Sequence, residues 1–167
     1  MLDTIEKLPL SVWVAESPSV FAYTLVLSLH AIGLATVLGI NALIAFRLLG
    51  YGTDIPLSSL RSFYGTIYAG FAINLVSGVL LFMAAATNMG TMPAFWVKMA
   101  LVLTGMTLAL RLKARFLDDS AATASGVVPP AIRRLAWVSL TCWTLALIVG
   151  RLTGYPEIVA RIFGYRI

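Results

Sequence analysis

Four apolar stretches, at about residues 20–49, 64–87, 94–112 and 135–153, constrain this chain more than anything else in it. Each approaches or exceeds the roughly 20 residues that a helix needs to cross the hydrocarbon of a bilayer. In that solvent every backbone N–H and C=O must be satisfied within the segment, which leaves the helix as the form open to each stretch. The expected fold is all-α: an integral membrane protein forming a single domain over residues 1–167, arranged as an up-and-down four-helix bundle with short connections between neighbours. Composition points the same way, because 60% of the residues are hydrophobic and only 11% charged, with a mean hydropathy of +0.93. A water-soluble domain does not carry that balance. The lone Cys142 excludes an internal disulfide.

Basic residues collect in cytoplasmic loops, so their positions predict orientation. Arg47, Arg61, Arg111, Lys113, Arg115, Arg133 and Arg134 follow the first and third spans, whereas Lys7, Arg161 and Arg166 belong to the other side. Both termini are therefore expected to face away from the cytoplasm, with 111–134 as a basic cytoplasmic loop. The membrane is expected to be a bacterial inner membrane, and the net charge of +5 reports topology rather than nucleic-acid binding. Residues 1–18 mix Asp3, Glu6, Lys7 and Glu16 with apolar side chains and Trp13, a pattern expected to lie along the interface. That start is acidic and the apolar run after it is long, unlike a cleavable signal, so the segment is expected to be retained.

His30, the only histidine, falls inside the first span. An ionisable, metal-competent side chain at membrane depth is costly and marks a candidate functional site. By helical rise, Lys98 in the third span is expected about 8 Å shallower than His30, and Arg151 in the fourth span at the level of Lys98. One imidazole beneath two cations suits a porphyrin: the ring nitrogen binds iron and the cations face propionates. Gly33, one turn beyond His30, and Gly70, Asn74 and Gly78 on one face of the second span are expected to leave room for the macrocycle, with Tyr23, Tyr68 and Trp96 along it.

Structural readings stand beside these. His30 can hydrogen-bond a carbonyl, Ser28, Thr36 or Asn74 across a helix interface, and Lys98 and Arg151 can snorkel to headgroups. The glycine face can serve helix packing. A second histidine is absent, so a sixth iron ligand would be Met83, Met99, Met106, water, Lys98 or nothing, which favours an open coordination site. Met83, Met89 and Met92 offer irregularly spaced thioethers for copper. The chain has no phosphate-binding loop, no Ser/His/carboxylate set and no acidic residue within a span; Asp54, Asp118 and Asp119 read as solvated loop charges.

Ser11 to Trp13, Glu16-Ser17-Pro18, Leu29-His30 with Gly33-Leu34, Gly39, Arg47-Leu48-Leu49-Gly50, Gly78 with Leu81-Phe82, and Phe95 with Lys98 occur in that order. In these motifs the chain resembles an uncharacterised bacterial family of four-helix membrane proteins, over roughly its first two thirds. Members of that family often carry an acidic residue where Ala45 stands. More distantly, the layout is similar to the membrane protoporphyrinogen oxidases and CopD-like four-helix proteins. That similarity implies His30 as a haem ligand and Lys98, after Trp96, as the cation near the porphyrin.

The expected function is membrane redox chemistry with a b-type haem or related tetrapyrrole held by His30, supported by Lys98, Arg151, Gly33, Asn74 and Trp96. The partners expected are the lipid bilayer, a quinone or periplasmic redox protein, and a homo-oligomer or larger membrane complex. A cofactor-free accessory or assembly subunit is the first alternative and a small transporter or metal-uptake protein the second. The lack of acidic residues in the spans argues against proton-coupled transport.

Overall fold

A computed structural model describes residues 1–164; Arg166 lies outside them. All regular structure among the described residues is helical. Two short helices, α1 (Leu2–Glu6) and α2 (Pro9–Glu16), precede the long α3 (Tyr23–Leu49). Then come a 3₁₀ segment (Leu57–Phe63) running into α4 (Tyr64–Ala84), the short α5 (Ala86–Thr91), and α6 (Pro93–Leu112), which ends in a π-helical turn (Lys113–Leu117). The chain closes with α7 (Ser120–Ala124), α8 (Pro130–Leu152) and α9 (Pro156–Phe163). Four of these helical stretches, Tyr23–Leu49, Leu57–Ala84, Pro93–Leu117 and Pro130–Leu152, are long and apolar enough to cross a membrane.

Several boundaries depart from expectation, each for a local reason. The first span starts at Tyr23 because Ser17 and Ser19 hold residues 19–22 in side-chain turns. The second span ends at Ala84 rather than 87, and the short connection expected before the third span holds the helix α5. The fourth starts five residues earlier than expected, at Pro130, whose fixed φ suits a first helical position. Arg133 and Arg134 thus sit in a helix rather than in the loop. Asp118 and Asp119 are engaged rather than simply solvated: Asp118 bridges Arg61 at 3.0 Å and Lys113 at 2.9 Å. Asp119 caps α7 by accepting the N–H groups of Ala121 and Ala122.

Gly50 ends α3 with φ 106°, a left-handed conformation that a side chain resists. Arg47, one turn earlier, donates from Nε to the Ile55 carbonyl at 2.6 Å, so the Arg-Leu-Leu-Gly run both stops the helix and ties down the loop after it.

Helix α3 packs on α4 and α8, and α6 packs on α8, but α4 and α6 scarcely touch. Glycines permit the closest approaches, as expected where lipid removes the hydrophobic drive for helix association. A Cβ on Gly33 would stand 2.8 Å from both the Asn74 nitrogen and the Gly70 oxygen. Gly105 on α6 seats the buried Trp143 indole of α8, and a Cβ there would stand 2.9 Å from the ring.

The main core lies in the half of the molecule that carries the 50–63 and 113–129 loops, where Ile44, Leu48, Leu60, Tyr64, Ile67, Leu112 and Phe116 are buried together. At this end Tyr64 crosses from α4 to α6 and donates its phenol to the Ala109 carbonyl at 2.8 Å. That carbonyl also accepts the Lys113 N–H, so Tyr64→Phe leaves it satisfied. The expected cost is about 1 kcal/mol, the net worth of one hydrogen bond, read as a shift in reversible unfolding in mixed micelles. The opposite end has only a small cluster, Met92 and Ala94 beneath Val159 of α9. There α1 carries an exposed ion pair, Lys7 to Asp3 at 2.8 Å, which holds the Asp3 carboxyl below its ordinary value through the hydrogen bond first and charge second.

Candidate functional site

Where α4 and α6 part, a pocket of about 550 Å³ opens between them, with α3 as its floor. That volume lies within the range of small-molecule and cofactor sites. His30 reaches it from α3, Phe71, Asn74, Gly78 and Phe82 from α4, and Phe95, Trp96, Lys98 and Met99 from α6. Apart from His30, Asn74, the Trp96 indole and Lys98, its walls are apolar.

The backbone of α4 determines the state of the imidazole. Nδ1 lies 3.0 Å from the Asn74 carbonyl oxygen, which can only accept, so Nδ1 carries the proton and donates it there. The Ser77 hydroxyl donates to the Ile73 carbonyl at 2.6 Å, and its oxygen, 3.2 Å from Nδ1, offers the same proton a second acceptor. Asn74 returns a bond from Nδ2 to the His30 carbonyl at 2.8 Å, so the two helices are joined in both directions. With Nδ1 protonated, Nε2 of the neutral ring holds the lone pair and has no hydrogen-bond partner among the described residues. A ring nitrogen oriented by a carbonyl on its other side is the usual arrangement of a metal-ligating histidine.

Gly78 makes this possible. A Cβ there would stand 3.0 Å from Cε1 and 3.3 Å from Nδ1 of His30, so the glycine seats the imidazole rather than clearing space for a macrocycle. Gly33 and Gly70 likewise serve the α3–α4 crossing: an added Cβ at Gly33 meets α4 backbone, and one at Gly70 meets Thr36 at 3.0 Å. The expected role of Gly33 in leaving room for a porphyrin is therefore replaced by helix packing.

Lys98 is half-buried, with its stem passing the Gly150 position of α8, and no carboxylate among the described residues pairs with it. Arg151 does not join it. Its guanidinium donates to the Tyr155 hydroxyl at 3.1 Å and lies over that ring at 5.2 Å, away from the pocket walls. The cause is register: Gly150 faces Lys98, and the next residue points about 100° away on the helix. Trp96 lines the pocket but spends its N–H on the Gly90 carbonyl at 2.9 Å. Tyr23 and Tyr68 are outside the lining; Tyr68 packs edge-on to Tyr64 instead. Of the methionines considered as iron ligands only Met99 reaches the pocket, and Met92 is core material under Val159.

Ser77 carries no anomaly in the sequence, although it follows Asn74 by three residues and so shares its helix face. Phe71 has no mark of its own among many apolar residues, and Phe82 and Phe95 stand in the ordered motifs without a role; only the splay of α4 from α6 shows all three as pocket walls.

Among the described residues, no three His, Cys, Asp or Glu side chains come together as a metal-ion cluster. A single imidazole is too few ligands to hold a free ion, whereas a tetrapyrrole brings four nitrogens of its own. No family model, no curated protein and no solved structure matches the chain.

Proposed function

We propose that this is a four-span inner-membrane protein of the up-and-down kind, with both termini outside the cytoplasm, that binds a b-type haem or related tetrapyrrole and serves membrane redox chemistry. The observation that carries the reading is the His30 imidazole at the wall of an aromatic-lined pocket, with Nδ1–H committed to Asn74 and Nε2 without a hydrogen-bond partner among the described residues. The distant likeness to the membrane protoporphyrinogen oxidases supports the same pair of residues, His30 and Lys98. Basic residues on the Arg47 and Arg133 side support the orientation.

In this reading His30 would hold the group through Nε2, and α4 fixes its ring through the Asn74 carbonyl and Ser77. Lys98 would offer its ammonium to an anionic group such as a propionate, and Phe82, Phe95 and Trp96 would supply aromatic wall to the group's apolar body. Arg151 has no part in the pocket. When bound, the group supplies one-electron chemistry, to pass electrons between a quinone and a periplasmic partner or to oxidise a small substrate. The accessible spectrum of protein purified from haem-replete cells tests the reading. A Soret band is expected, and a colourless preparation would sink it in favour of the accessory-subunit alternative.

Lys98→Met carries a separate expectation. It removes a charge-assisted contact while keeping the length and apolar character of the stem, and haem occupancy should fall about tenfold. Occupancy equal to that of the parent protein would remove Lys98 from the site.

A further inference from the structure

We propose that the ligand of the His30 pocket is a bilayer-dissolved amphiphile, with a flat apolar body and an acidic group, that enters sideways between α4 and α6. A clasp formed by the N-terminal helix closes the aqueous end. The proposal rests on the ligand-binding reading above and adds the route and the phase from which the ligand comes.

The pocket is bounded at both ends of the α4–α6 seam. Tyr64 bridges to Ala109 at one end, and the rings of Phe82 and Phe95 stack at 5.2 Å and 21° at the other. Beyond that ring pair the chain turns through α5, and α1 is fastened onto the turn. Glu6 accepts the Thr87 N–H at 2.8 Å and the Thr87 hydroxyl at 3.0 Å, one with each carboxylate oxygen. Leu2 presses on Gly90 so closely that a Cβ there would stand 2.7 Å from its Cδ1. The Gly90 carbonyl in turn holds the Trp96 indole over the pocket. Ala86 at the start of α5 and Met92 and Ala94 at the start of α6 are at most 1% exposed, so the covering reaches the backbone that joins α4 to α6.

The flank is different. Leu75 and Val79 on α4 and Leu103 on α6, all pocket-lining, are 51%, 49% and 61% exposed, and no helix lies across them. These are side chains suited to acyl chains rather than water. Lys98, lacking an anionic partner among the described residues, selects an acid among the lipid-soluble molecules that can use this path.

Spin-label accessibility tests the route. The full chain carries Cys142→Ser, which keeps the donor to the Leu101 carbonyl, and a nitroxide on Val79→Cys or, as a lipid-facing reference on α8, Val138→Cys. It is reconstituted in phosphatidylcholine–phosphatidylglycerol vesicles. Oxygen collisions should exceed those with a water-soluble nickel chelate at both positions. In Glu6→Ala, chelate collisions at 79 should rise severalfold while those at 138 stay constant. Chelate collisions equal to or above oxygen at 79 in the chain with its clasp intact would overturn lateral access. An unchanged ratio in Glu6→Ala would overturn the sealing role of α1. Should Glu6→Ala disturb position 138 as well, Leu2→Ala, which removes only the packing on Gly90, takes its place with the same expectation. A colourless protein with an oxygen-dominated label at 79 would fail the haem reading and keep the route; a Soret band with a chelate-dominated label would do the reverse.

Discussion

His30→Ala should abolish the Soret band expected of the purified protein, with haem retention at least about 100-fold weaker. That is the upper end of the loss expected when only a hydrogen-bonding partner of a metal-bound histidine is removed, and under the proposed function His30 is the ligand itself. The fold should survive, because an interhelical hydrogen bond within a membrane is worth only about 0.6 kcal/mol and the Asn74 Nδ2 bond to the residue-30 carbonyl remains. Two further measurements separate ligation from structure. Added imidazole should partly restore the band in His30→Ala, since removal of the ring empties the space beside Gly78. Ser77→Ala should shift the band slightly without abolishing it, because the Asn74 carbonyl continues to hold the Nδ1 proton. A Soret band of parental intensity in His30→Ala would reduce His30 to a helix-interface residue.

Gly33→Ala should destabilise the protein by about 1–3 kcal/mol, the usual cost of forcing extra volume into a packed contact. The added methyl meets the Asn74 nitrogen and Gly70 oxygen at 2.8 Å, and helix backbone cannot swing aside as a side-chain tip can. The separation of α3 from α4 should also stretch the paired bonds between His30 and Asn74, so haem retention falls with stability. Gly39→Ala is the control on the same helix, with nothing within 4 Å of the new methyl. It should be neutral or up to about 1 kcal/mol stabilising, from helix propensity alone. Reversible unfolding in mixed micelles measures both, and equal effects at 33 and 39 would refute the close crossing.

These two experiments fall on residues that differ in how plainly they could be read. His30 needed no structure to stand out, because an ionisable group within an apolar run is a chemical anomaly whatever surrounds it. Gly33 is less legible, since a glycine one turn from a ligand candidate fits cofactor clearance and backbone contact equally well until the second helix is in place. Helical rise puts Arg151 with Lys98 by depth alone. Depth follows from counting residues, but azimuth depends on how α8 is rotated against α6, and that rotation is decided by Gly105 receiving Trp143 and Gly150 facing Lys98.

By itself, the sequence determined that the chain is helical with four stretches able to cross a membrane, because apolar length and backbone hydrogen bonding in lipid admit little else. It also singled out the one imidazole that such a membrane would not hold cheaply. Only the tertiary structure decided which nitrogen of that imidazole is free, that Lys98 shares its pocket and Arg151 does not, and that the pocket lies where α4 and α6 part. Those outcomes depend on helix rotation and on contacts between residues more than 40 positions apart, such as His30 with Asn74 and Tyr64 with Ala109. Hydrophobic periodicity carries no record of either where lipid and protein neighbours are equally apolar.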